Sequence, residues 1–174
     1  HTIAVNYFRN VCDPNGDKTW HGESQRGFTE YLYHLSFVDQ PLLKIILVEY
    51  PFIERMLHCC DVTDLTAAYK WLTDMDRCHD AVAKCLMLSA EAIRKNVYDL
   101  PAQLWGRLCD VKNTEIQQLL EQMCRYVKYP WLKSVGASLS FSDDIMDTLT
   151  VDGEIFTAVF VTETDVFLVW SIAN

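Results

Sequence analysis

Apolar residues recur at helical spacing along most of the chain. Ala4, Tyr7, Phe8 and Val11 fall at i, i+3, i+4 and i+7, and Phe28, Tyr31, Leu32 and Leu35 repeat the pattern. Val82, Cys85, Leu86, Ser89, Ala90 and Ile93 form one continuous stripe. Ile116, Leu119, Leu120, Met123, Cys124 and Val127 form another. Each stripe lines one side of a helix and needs a facing element to cover it. Between the stripes lie start and stop signals. "CDPNGDKTW", residues 12–20, is a turn-rich loop after the first helix. Asp39 and Pro41 open a short helix over 42–49 that is apolar nearly all round and therefore central. Pro51 starts the next, with Phe52, Ile53, Met56 and Leu57 facing in. Asp61 stands at an N-cap with Asp64 three residues on, followed by Val62, Leu65, Tyr69 and Leu72. Pro101 opens "PAQLWGRL", and Asn113 caps a helix that runs to Tyr129, where Pro130 stops it.

The predicted fold is therefore mainly α. About seven or eight helices with short connections form an antiparallel bundle or solenoid-like array. No fixed repeat period emerges. After Pro130 the pattern changes. Leu139 and Phe141 alternate, 145–149 is a short strand candidate, 155–161 is apolar on both faces, and 166–170 runs back after "TETD". The expected division is a helical domain over 1–133 and a linker with a few β-strands over 134–174.

Composition narrows the function classes. The 174 residues are 50% hydrophobic and 22% charged, ordinary for a globular domain. The net charge is −9 with scattered Lys and Arg, whereas a nucleic-acid surface needs clustered cations to displace counterions from phosphates. The same deficit disfavours an anionic membrane surface. No apolar run reaches the roughly 18–20 residues of a membrane helix. No basic-then-apolar leader is visible, and the first residue is His1, so the chain is expected to belong to a longer one.

Candidate chemistry is sparse. The seven cysteines (Cys12, Cys59, Cys60, Cys78, Cys85, Cys109 and Cys124) are odd in number and form no C-x-x-C pair. They read as small free hydrophobes of a reducing compartment. No phosphate-binding glycine loop and no H-E-x-x-H motif occurs, so no catalytic, cofactor-binding or metal-ligating residue is assigned. "HCCD" (58–61) and "CHD" (78–80) hold ligand-type residues, but consecutive helical positions point about 100° apart and cannot converge on one ion. A small metal- or thiol-dependent enzyme using His58, Cys59, Cys78 and His79 is the least favoured reading. His34 is expected to be hydrogen-bonded between helices. Arg26 and Glu30 form an i, i+4 surface pair. Trp71, Trp105 and Trp131 are expected as core or interface anchors.

Several phrases resemble a known family. "RGFTEYLYHL" resembles the R-x-x-E-L-P-Y-H-L phrase that follows the nucleotide-binding module of NACHT and WD repeat domain-containing proteins. Arg26, Glu30, Tyr33, His34 and Leu35 match it, while Tyr31 and Leu32 stand where Leu-Pro is common. "LPAQLWGRL" resembles the family's L-x-x-Q-x-x-G-R-L phrase through Gln103, Gly106, Arg107 and Leu108. "PWL", Pro130, Trp131 and Leu132, resembles its exit into the propeller. The resemblance implies a cytoplasmic signalling ATPase similar to apoptotic protease-activating factor. This chain would be the non-catalytic helical domain and the first strands of a β-propeller. ATP or ADP would sit in an upstream module. Its partners would be the adjacent domains of the same chain, with homo-oligomer formation, and neither nucleic acid nor membrane. The Gly-His that usually precedes a WD-repeat inner strand is replaced near Val151, Asp152 and Gly153, and Trp170-Ser171 arrives too early to be a Trp-Asp ending. The alternative is a stand-alone helical protein-interaction scaffold.

Overall fold

The computed structural model describes residues 1–139 with their side chains, and 154–161 and 166–172 as backbone alone. Two units are separable, His1–Phe141 and Ser142–Asn174. The described part of the first is all helical: α1 Thr2–Cys12, α2 Gln25–Val38, α3 Gln40–Leu47, α4 Tyr50–Cys59, α5 Val62–Tyr69, α6 Arg77–Leu88, α7 Ala90–Lys95, α8 Leu100–Leu108 and α9 Thr114–Tyr126. A single 3₁₀ turn, Val97–Asp99, leads into α8.

Short polar side chains start these helices by taking up amide groups that the helix itself leaves unpaired. Ser24 accepts from Gly27 N, Asp39 from Leu42 N, and Asn113 from Ile116 N. Asp61 accepts from Thr63 N while Asp64 reaches back to Asp61 N, a reciprocal capping box. The real boundaries differ from the expected ones by local rules. α3 begins at Gln40 and α4 at Tyr50, because a proline fits inside a first turn. α9 ends at Tyr126 rather than Tyr129, since Val127 turns to extended backbone and the Tyr129 hydroxyl donates to Glu54 Oε1 at 2.9 Å.

One expected helix is two. The apolar stripe from Val82 to Ile93 breaks at Ser89, which closes α6 and opens α7. An intact helix would use the Leu88 carbonyl itself. Here Arg107 Nη2 donates to Leu88 O at 3.4 Å and Arg107 Nε donates to Ser89 Oγ at 3.1 Å. The periodicity survives the break because Ile93 N still bonds to Ser89 O.

The core is contiguous. Phe28, Tyr31, Leu32, Leu35, Leu43, Leu47, Tyr50, Phe52, Ile53, Met56 and Leu65 are all fully buried. Several of its polar groups are paired. Tyr50 and Tyr129 both donate to Glu54 Oε1, and the Tyr69 hydroxyl donates to Leu47 O at 2.6 Å. Burial pushes the Tyr50 and Tyr69 phenols well above their usual range.

The loop over 13–24 is stapled to the helices. Gly22 N donates to Cys12 O, and Arg55 donates to Gly22 O at 2.8 Å and to His21 O. Lys18 and Trp20 both take positive φ, 61° and 55°, the sparsely populated left-handed region for residues with a side chain.

Asp61 also ties α5 to α7. Arg94 Nε lies 2.8 Å from Asp61 Oδ2 and Arg94 Nη2 lies 3.0 Å from Oδ1. The Arg94 guanidinium first, then the Thr63 hydroxyl and amide, hold the Asp61 carboxyl well below the usual carboxylate range. A depressed carboxylate stabilises the fold above its unfolded value of about 3.9, and that help is lost as pH falls through the lower folded value. Asp61→Ala is expected to cost about 1 kcal/mol at pH 7 through the lost cap. The gap from wild type, measured by urea melts at pH 7 and pH 3, should narrow on the acid side.

In the second unit, strands β1 (Glu154–Val161) and β2 (Val166–Ile172) pair antiparallel, with Val161 opposite Val166 and Thr157 opposite Trp170. The register shifts between Ile155 and Thr157. The strand candidate at 145–149 lies outside the described residues.

Candidate functional site

The motif residues fall into two groups. The first lies on α2, where it meets α1. Arg26 Nε and Glu30 Oε1 are 3.5 Å apart on the surface. Glu30 Oε2 is 3.5 Å from His34 Nε2, and His34 Nδ1 is 2.7 Å from His1 Nδ1. The His34 ring stacks on Phe8, so the imidazole joins two helices. Tyr33 is exposed and edges onto Phe37 and Trp71, while Leu35 is buried in the core.

The second group forms a seat for the chain that follows α9. The carbonyl oxygen of Gly106, on α8, accepts from both Ser138 N and Leu139 N at 3.0 Å. A Cβ at Gly106 would stand 3.0 Å from Leu139 Cδ1 and 3.2 Å from Ser138 Oγ, tighter than ordinary contact, so a side chain here would press on both. Trp105 Nε1 donates to Ser134 O at 2.9 Å, and Ala137 N donates to Asp110 Oδ2 at 3.0 Å. The Lys133 ammonium lies 3.7 Å from the Trp105 ring centroid, and the Trp131 ring lies 6.2 Å away. Arg107 points to the other side of the same helix and holds the α6–α7 break. The Gln103 carbonyl accepts from the Cys85 thiol, and Leu108 is buried. Pro130 and Leu132 are exposed.

A single helix thus grips segment 134–139 on one side and the α6–α7 joint on the other, through adjacent residues Gly106 and Arg107. Sequence pattern names Gly106 and Arg107 but not their partners. Ser134, Ala137 and Asp110 carry no periodic signal, because their contacts are made by backbone groups or by one side chain reaching a distant amide.

The Cys and His candidates disperse. The His58 ring faces Tyr98, and the Cys59 thiol donates to Gly22 O. His79 bridges Asp76 and the Lys44 carbonyl. Among the described residues, Asp76, Cys78 and Glu115 are the one group of three metal-capable donors whose atoms lie within 4.8 Å of one another. The Lys44 ammonium, 3.9 Å from Asp76 Oδ2, already places a positive charge there. Burial pushes the Cys12, Cys60, Cys78 and Cys85 thiols up to about 12, where they stay protonated and weakly nucleophilic at neutral pH.

No family model, no curated protein and no solved structure matches the chain. Among the described residues no helix is long and apolar enough to cross a membrane.

Proposed function

We propose that this chain is the non-catalytic helical segment of a NACHT/WD-repeat signalling ATPase, coupling a nucleotide-binding module to WD-repeat propellers and supporting nucleotide-dependent assembly. ATP or ADP belongs to the upstream module, the immediate partners are the flanking domains of the same cytoplasmic chain, and the strands of 154–172 begin the propeller. One observation carries the reading: α8 seats the segment leaving the helical unit through Gly106 while Arg107, its neighbour, clamps a helix break. A rotation of α8 moves both contacts together. Coupling then consists of two packings of these helices whose balance is biased by ligands bound on either side.

The test uses the full-length protein. Gly106→Val drives a branched side chain into Leu139 and Ser138. Nucleotide affinity should stay unchanged, while ATP-dependent assembly, read by mass photometry, falls roughly tenfold. Wild-type assembly by the variant, or a full-length sequence with no nucleotide-binding module before this segment, removes the reading.

A stand-alone interaction scaffold is favoured by a different observation. Ile3, Tyr7, Tyr33, Phe37 and Val38 are large apolar residues exposed on α1 and α2. That reading prevails if Tyr7→Ser with Phe37→Ser abolishes partner capture by the full protein while Gly106→Val leaves it intact.

A further inference from the structure

Among the described residues, three buried side-chain polar atoms have no hydrogen-bond partner in the protein: Asp13 Oδ1, Trp20 Nε1 and Tyr31 Oη. All three belong to one neighbourhood. Asp13 and Trp20 bound the loop after α1, and Tyr31 lies on α2. The Trp20 and Tyr31 rings are 5.9 Å apart. Asp13 Oδ2 accepts from Lys18 N, two residues before Trp20. The three residues are at most 2% exposed. Burial, opposed by Arg9 and reinforced by Cys12, Glu49 and Asp13, pushes the Tyr31 phenol up to about 12, so it remains protonated and able to donate.

An unpaired buried polar atom is costly, so a fold does not ordinarily leave three together. The donor and acceptor pattern identifies what joins them. Asp13 Oδ1 only accepts. The Trp20 indole N–H only donates. The Tyr31 hydroxyl does either. A metal ion or an ammonium group would face the positive end of the Trp20 N–H. An anion would face the Asp13 carboxylate. A neutral molecule that donates and accepts satisfies all three, and the smallest such molecule is water.

We propose that Asp13, Trp20 and Tyr31 enclose a binding site for a single ordered water at loop 13–20. The water donates to Asp13 Oδ1 and accepts from the Trp20 indole and the Tyr31 hydroxyl. It fastens the loop to α2, the helix that carries Arg26, Glu30 and His34. It adds to the hold that Asp13 Oδ2 has on Lys18 N in a loop where Lys18 and Trp20 take left-handed backbone. The site is independent of the coupling function proposed above.

The test is a high-resolution crystal structure of the 174-residue chain together with Tyr31→Phe. The expected structure has a water oxygen within about 3.2 Å of Asp13 Oδ1 and of Trp20 Nε1. The expected variant melts roughly 2–4 °C lower, because the water loses one of its three partners. A magnetisation-transfer signal from long-lived water to the Trp20 indole proton supports the site in solution without any substitution. A dry cell, a cation at the centre, or a Tyr31→Phe variant that melts at or above the wild-type temperature overturns it.

Discussion

Gly22→Ala is expected to destabilise the helical unit by about 3–5 kcal/mol, at the severe end for a single substitution. A Cβ at this position would lie 2.2 Å from Val11 O and 2.6 Å from Cys12 Cα. Both are backbone atoms near the end of α1, so no rotamer change relieves the clash. The loop must move away. That breaks the Gly22 N to Cys12 O bond and pulls Gly22 O from Arg55 Nε. The melting temperature should fall by roughly 10 °C, measured by circular dichroism at 222 nm. Gly16→Ala is the control: nothing lies within 4 Å of a Cβ there, so its cost is confined to the φ of +67°. If Gly22→Ala is no worse than Gly16→Ala, the stapled loop is wrong.

Phe52→Ala should cost about 3–5 kcal/mol for a different reason, a cavity. Phe52 is fully buried on α4. Its ring meets Trp20 edge-on at 4.8 Å and Phe28 at 5.7 Å. It therefore supports three elements at once: its own helix, α2, and the loop over 13–20. Removing the ring leaves Trp20 without the surface it rests on, so the loss should include loop ordering as well as buried area. Phe52→Leu keeps most of the volume and should lose less than half as much in urea melts. The Trp20 fluorescence maximum should shift to the red in Phe52→Ala before global unfolding. Equal losses for Leu and Ala would mean that ring packing is not what holds the loop.

Both effects centre on a loop that sequence reading marks only as turn-rich. Gly22 looks like one glycine among six. Its role comes from Val11 and Cys12, residues that its own neighbourhood in the chain does not reveal as close. Glu54 is similar. It stands between Ile53 and Arg55, yet it accepts from Tyr50 four residues before it and from Tyr129 seventy-five residues after it. Only the first partner lies within reach of helical periodicity. Ser89 shows the converse error. Its place in an unbroken apolar stripe argues for one helix, and the break comes from Arg107, a side chain on another helix.

Local chemistry was decided by the sequence alone: a mainly helical fold, the caps at Asp39, Asp61 and Asn113, and the faces that Phe28, Tyr31, Leu32 and Leu35 or Ile116, Leu119 and Leu120 turn inward. Helical periodicity and N-capping act over four residues or fewer, so they can be read from consecutive letters. The tertiary structure alone decided which faces meet, where Ser89 interrupts a helix, why Gly22 must lack a Cβ, and that α8 grips segment 134–139. Those features arise from close approach between residues far apart in the chain, and steric exclusion between distant backbones has no period for a sequence to carry.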